Sequence, residues 1–71
     1  MIIHSATVEL MPTDIRLLRD SGLPLGPPGS EDRRLPVERA DFLSRLRAAR
    51  ARTDDPERRA VIVSFLKQLR A

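Results

Sequence analysis

Cysteine, tryptophan and tyrosine are absent from this chain of 71 residues, and His4 is its single histidine. Without cysteine no disulfide can form, and one imidazole leaves a structural zinc site short of its usual ligands. No Trp or Tyr is there to give nucleobases a stacking platform. Nor does any stretch approach the roughly 20 apolar residues of a membrane-spanning helix. Met1-Ile2-Ile3-His4 lacks the basic region and apolar core of a secretion signal, so a cytoplasmic location is expected. A single domain of this length usually draws only about 3–5 kcal/mol from its own core. With disulfides and metal set aside, a partner chain is the expected further source of stability.

Lysine is almost missing as well. The net charge of +3 comes from 13 basic and 10 acidic side chains, and Lys67 is the one lysine among the basic ones. Arginine presents a planar fork that pairs with carboxylate or phosphate and stacks on flat rings. A GC-rich genome choosing Arg codons for an ordinary solvated surface produces the same bias, and so modest a balance does not establish nucleic-acid binding.

The chain reads as one small domain, residues 1–71, of the mainly helical class. From Ile2 to Leu10 the residues alternate, with Ile2, His4, Ala6, Val8 and Leu10 on one side and Ser5, Thr7 and Glu9 on the other. Period two predicts a strand over part of residues 1–11. No other segment reads as its partner, which leaves two alternatives: a loosely ordered arm, or a strand that adds to a sheet edge in another molecule. A short helix is expected over 13–21, with Thr13 as N-cap, Asp14 in the first turn, Gly22 at the left-handed C-terminal position, and Ile15 and Leu18 docking it. Residues 23–35 read as a linker or ordered turn, because Pro24, Gly26, Pro27, Pro28 and Gly29 continue neither helix nor strand. Leu23 and Leu25, framed by prolines, also suit an extended ligand for a groove.

Two amphipathic segments follow, 36–52 and 56–70, separated by Thr53-Asp54-Asp55-Pro56. Pro36 suits the first helical turn and Glu38 its electropositive end. Phe42, Leu43, Leu46 and Ala49 share one face. In the second segment Asp55 caps, Pro56 and Glu57 open the first turn, Val61, Ile62, Phe65, Leu66 and Leu69 form the apolar stripe, and Lys67 and Arg70 close it. So short a break predicts an antiparallel C-terminal hairpin of helices, with the short helix around Ile15 and Leu18 covering its open side or leaving it to a partner.

No group of residues carries recognisable chemistry. His4 has no nearby serine or carboxylate pair; Asp54, Asp55 and Glu57 match a helix cap rather than a calcium loop. Gly26-Pro27-Pro28-Gly29 lacks the Gly-Lys-Ser/Thr ending and the N–H groups of a phosphate loop. The five serines have no base at a recognisable spacing. The chain is expected to be non-enzymatic, without cofactor or metal.

The order Val8-Glu9-Leu10, then Arg39 to Leu46, then Asp55 and an apolar helix is similar to that of flagellar anti-sigma factors. The Gly usual before the final acidic cap and the Ile-Ala pair after it are absent, with Arg59-Ala60 in their place, so no family is assigned on this likeness.

The expected function is that of a small regulatory adaptor from a bacterium or phage that binds a partner protein through Phe42, Leu46, Ile62, Phe65, Leu66 and Leu69. Arg45, Arg47, Arg50 and Arg52 would orient an acidic partner surface. The alternative is an accessory nucleic-acid binder whose phosphate contacts are those same arginines, with Arg58 and Arg59 across the hairpin turn able to join them. Self-association through Ile2 to Leu10 is the third expectation.

Overall fold

The computed structural model describes residues 1–27, 29 and 32–70. Its elements are β1 (Ile2–Ile3), β2 (Thr7–Leu10), α1 (Pro12–Asp20), β3 (Leu35–Glu38), α2 (Arg39–Arg52) and α3 (Pro56–Arg70). Helix dominates, and the strands form one small antiparallel sheet in the order β1-β2-β3. No helix among the described residues is long and apolar enough to cross a membrane.

The alternating N-terminal stretch is a hairpin rather than one strand. His4 N–H donates to the Thr7 carbonyl at 2.8 Å, folding β1 back on β2 with Ile2 opposite Glu9 and Ile3 opposite Val8. The partner that the sequence did not reveal is β3, which lies across the end of the expected linker and the first turn of the expected helix 36–52. The helix starts at Arg39 instead. Thr7 faces Glu38, Val8 faces Val37, Glu9 faces Pro36 and Leu10 faces Leu35. Proline tolerates the first helical turn and an edge strand for the same reason, a missing N–H that nothing needs, so local signals do not separate the two. Packing does. In the strand, Leu35 and Val37 come onto the face of Val8 and Leu10 and pack against the core.

Bonding in the ladder shows which way each edge faces. Arg39 N–H donates to the Ala6 carbonyl at 3.0 Å. In an antiparallel pair bonded and non-bonded residues alternate, so Val37 and Leu35 turn their polar groups toward β2 while Pro36 and Glu38 turn theirs outward. Pro36 therefore occupies a position where an N–H would otherwise face solvent.

Helix α1 begins one residue earlier than expected, with Met11 rather than Thr13 at its N-cap and Pro12 in the first turn. The Asp14 carboxylate reaches back to accept the Met11 N–H at 2.9 Å and pairs with the Met1 ammonium at 2.9 Å, which ties the start of β1 to α1. The helix stops at Gly22, whose φ is +90°. Leu23 N–H donates to the Leu18 carbonyl and Gly22 N–H to the Arg19 carbonyl, the paired bonds of a Schellman ending, and buried Leu23 and Leu18 supply its apolar contact. From there Leu23 and Leu25 enter the core, so neither is on offer to a groove elsewhere. Of the 23–35 linker, positions 28, 30 and 31 lie outside the described residues.

Helices α2 and α3 pack on one another through Phe42 and Phe65, whose rings meet edge to face with centroids 6.3 Å apart. At one end of the pair the Arg39 guanidinium donates to the Leu69 carbonyl. At the other, Thr53 Oγ1 donates to the Ala49 carbonyl at 2.7 Å and the Asp55 carboxylate caps α3 by accepting the Glu57 N–H at 2.8 Å. Val8 and Leu10 from the sheet, Ile15 and Leu18 from α1, and the inward faces of α2 and α3 close a single core.

Candidate functional site

The residues expected to meet a partner fill the interior. Phe42, Leu46, Ile62, Phe65, Leu66 and Leu69 are each between 0 and 6 % exposed. Core and interface draw on the same residue types, and sequence periodicity reports that a face is covered without reporting what covers it. Here the sheet and α1 do the covering.

The arginines are at the surface but do not act as one group. Arg45 is held by the Asp41 carboxylate one turn earlier on α2, at 3.0 Å. Arg47, Arg50 and Arg52 are exposed, and no carboxylate among the described residues is within ion-pair distance of them. Of the two arginines beyond the turn, Arg59 donates to the Thr53 carbonyl at 2.8 Å and Arg58 is exposed. The acids Asp54, Asp55 and Glu57 sit beside them, and Asp55 is engaged in capping. His4 is exposed. Among the described residues no three His, Asp or Glu side chains converge in a way that would hold a metal ion.

What the fold leaves open is β1. It stands at one end of the sheet, with no strand among the described residues on its outer side. Because His4 and Thr7 are a bonded pair, Ile3 and Val8 are a non-bonded one, and the N–H and C=O of Ile3 point away from β2. The side chains flanking this edge are apolar: Ile2 is 37 % and Ile3 39 % exposed, and with Leu17 they are the large hydrophobic residues that the surface displays. Neither β1 residue carries a charge, and the Met1 ammonium beside them is neutralised by Asp14. An edge with open backbone groups, apolar flanks and no charge is what strand addition requires, and what natural sheets usually blunt.

The opposite edge is blunted. On β3 the outward positions are Pro36, which has no N–H, and Glu38, which carries a charge and opens α2. A shallow, mostly apolar groove runs where the hairpin turn meets the start of α2, lined by Ala6, Val37, Ala40 and Leu43 among others. It borders that blunted edge.

Ile3 was not identified as a site residue from sequence. One signal was present: in the period-two pattern it is the apolar misfit on the side of Ser5, Thr7 and Glu9. The hairpin turn explains the misfit, since it places Ile3 on the face of Val8 and Ile2 on that of Glu9.

No family model, curated protein or solved structure matches the chain.

Proposed function

We propose that the protein is a small, non-enzymatic interaction module of the cytoplasm, a regulatory adaptor that engages another protein chain by pairing its free β1 edge with an extended strand. The observation that carries this proposal is the orientation of Ile3, whose N–H and C=O face outward between exposed Ile2 and Ile3 side chains. In this reading α2 and α3 form an antiparallel hairpin that serves as scaffold: Phe42, Leu46, Ile62, Phe65, Leu66 and Leu69 hold the sheet in place and do not touch the partner. Arg47, Arg50 and Arg52 favour partners with an acidic surface near the docking strand, through steering more than through contact energy.

Affinity capture from the native host lysate, split into nuclease-treated and untreated halves, tests the proposal with Ile3→Lys as control. A stoichiometric protein that survives nuclease and is lost with Ile3→Lys is the expected result. Capture that is indifferent to Ile3→Lys overturns the choice of edge.

A second reading has one observation in its favour, the lack of carboxylate partners among the described residues at Arg47, Arg50 and Arg52. These three guanidinium groups can contact phosphates, and the protein is then an accessory nucleic-acid binder. Capture of nucleic acid alone, abolished by nuclease, supports that reading.

A further inference from the structure

We infer that in the free protein the β1 edge is occupied by β1 of a second copy, so that the chain forms a two-fold symmetric dimer with a continuous six-stranded sheet. The inference rests on the reading of β1 as the docking edge and names what docks there.

Self-complementarity points to a second copy. The outward N–H and C=O of β1 both belong to one residue, Ile3. When two such edges meet antiparallel about a two-fold axis through Ile3, each Ile3 donates to the carbonyl of the other and accepts from its N–H. That is the reciprocal bonded pair of an antiparallel ladder, made with no residue left over. The same axis brings the exposed Ile3 side chains side by side on the inner face and sets each Ile2 beside His4 of the second copy. No like charges meet across the seam, because β1 has none and the Met1 ammonium is paired with Asp14. An isologous contact of this kind uses one patch on both chains.

Closure follows from the other edge. The joined sheet has the order β3-β2-β1-β1-β2-β3, so both of its ends are β3 strands with Pro36 facing outward. Proline at that position offers no N–H to a third chain. Association therefore stops at two copies instead of continuing into a fibre. The short edge makes the contact small, below the roughly 1,000 Å² of a stable interface, so the dimer is in reversible exchange with the monomer. A strand from another protein competes for the same edge.

Sedimentation equilibrium of the purified full chain across a wide concentration series tests the inference, with amide hydrogen exchange of Ile3 as second readout. The mass should rise from 8.0 kDa toward twice that value with concentration, and the Ile3 amide should gain protection in step. Ile3→Pro removes the outward N–H together with the isoleucine side chain and leaves the bonded pairs of the β1–β2 hairpin untouched. It should remain at the monomer mass throughout, with an unchanged circular dichroism spectrum. Should Ile3→Pro disturb the fold, Ile3→Lys, which keeps the backbone and adds a charge to the edge, serves in its place. A parent that stays monomeric at every concentration overturns the dimer, as does a parent dimer whose Ile3 amide stays exposed or a dimer that persists in Ile3→Pro. If the monomeric parent nevertheless retains a host protein that Ile3→Lys loses, the edge reading stands and only the second copy is wrong. If it retains none, both are.

Discussion

Pro36 lies directly across the β2–β3 ladder from Glu9, with its nitrogen turned away from β2 toward solvent. The β1 edge keeps an outward N–H at Ile3, whereas on β3, beside the charged Glu38, the outward N–H is missing at Pro36. Replacing it by a residue with an N–H, as in Pro36→Thr, opens the second edge while leaving every bond to β2 in place. Light scattering should then show assemblies larger than two chains at concentrations where the parent shows none, with the circular dichroism spectrum preserved. No growth in size would mean that something other than Pro36 protects β3.

The edge-to-face contact of Phe42 and Phe65 joins α2 to α3 in the middle of the core. Phe65→Ala should lower unfolding free energy by about 3–5 kcal/mol, through lost transfer energy and the cavity left behind. In a domain of this size that loss approaches the whole stability, so urea denaturation is best followed at low temperature with Phe65→Leu as the milder companion. An unchanged midpoint for Phe65→Ala would place the ring at the surface.

Gly22 ends α1 in the left-handed region, and a methyl group built on it meets no atom within 4 Å. Its substitution therefore tests backbone conformation without steric clash. Gly22→Ala should destabilise by about 1 kcal/mol, and Gly22→Asn by less, since Asn tolerates that region better. Chemical denaturation midpoints measure both. Equal stability for parent and Gly22→Ala would mean that the Schellman ending contributes little to holding α1.

Arg47 and Arg50 separate the two functional readings. Their simultaneous replacement by Glu should change stability by no more than about 0.5 kcal/mol per site, as is usual for exposed positions. Self-association at β1 should be unaffected. Titration of the parent with duplex and single-stranded oligonucleotides at several salt concentrations should show no steep salt-dependent affinity. Tight binding that falls steeply with salt and vanishes in the double variant would transfer the function to the arginine face.

Much of the helical architecture was legible in the residues themselves. Asp55 with Pro56 and Glu57, the stripe of Ile62, Phe65, Leu66 and Leu69, and Gly22 after Ile15 and Leu18 each combine a local backbone requirement with a residue type that meets it, within one or two turns. The partner of β2 was not legible. Leu35–Glu38 is four residues long, contains a proline, and abuts a helix whose N-terminal signals extend over it. Nothing within such a segment distinguishes a strand from a first helical turn.

The sequence by itself determined the Gly22 ending of α1, the Asp55–Pro56 start of α3, the apolar faces of α2 and α3, and the lack of any disulfide, because these depend on neighbours a few residues away. Tertiary structure decided what those faces are for. Pairing β2 with a strand from the other side of the linker places Val8, Leu10, Leu35 and Val37 in one sheet against the helices, which converts the expected partner surface into core. The same pairing leaves β1 at one end of the sheet and Pro36 at the other. Whether an apolar residue is core or interface is a property of what lies across from it in space, and period and spacing along the chain carry no record of that.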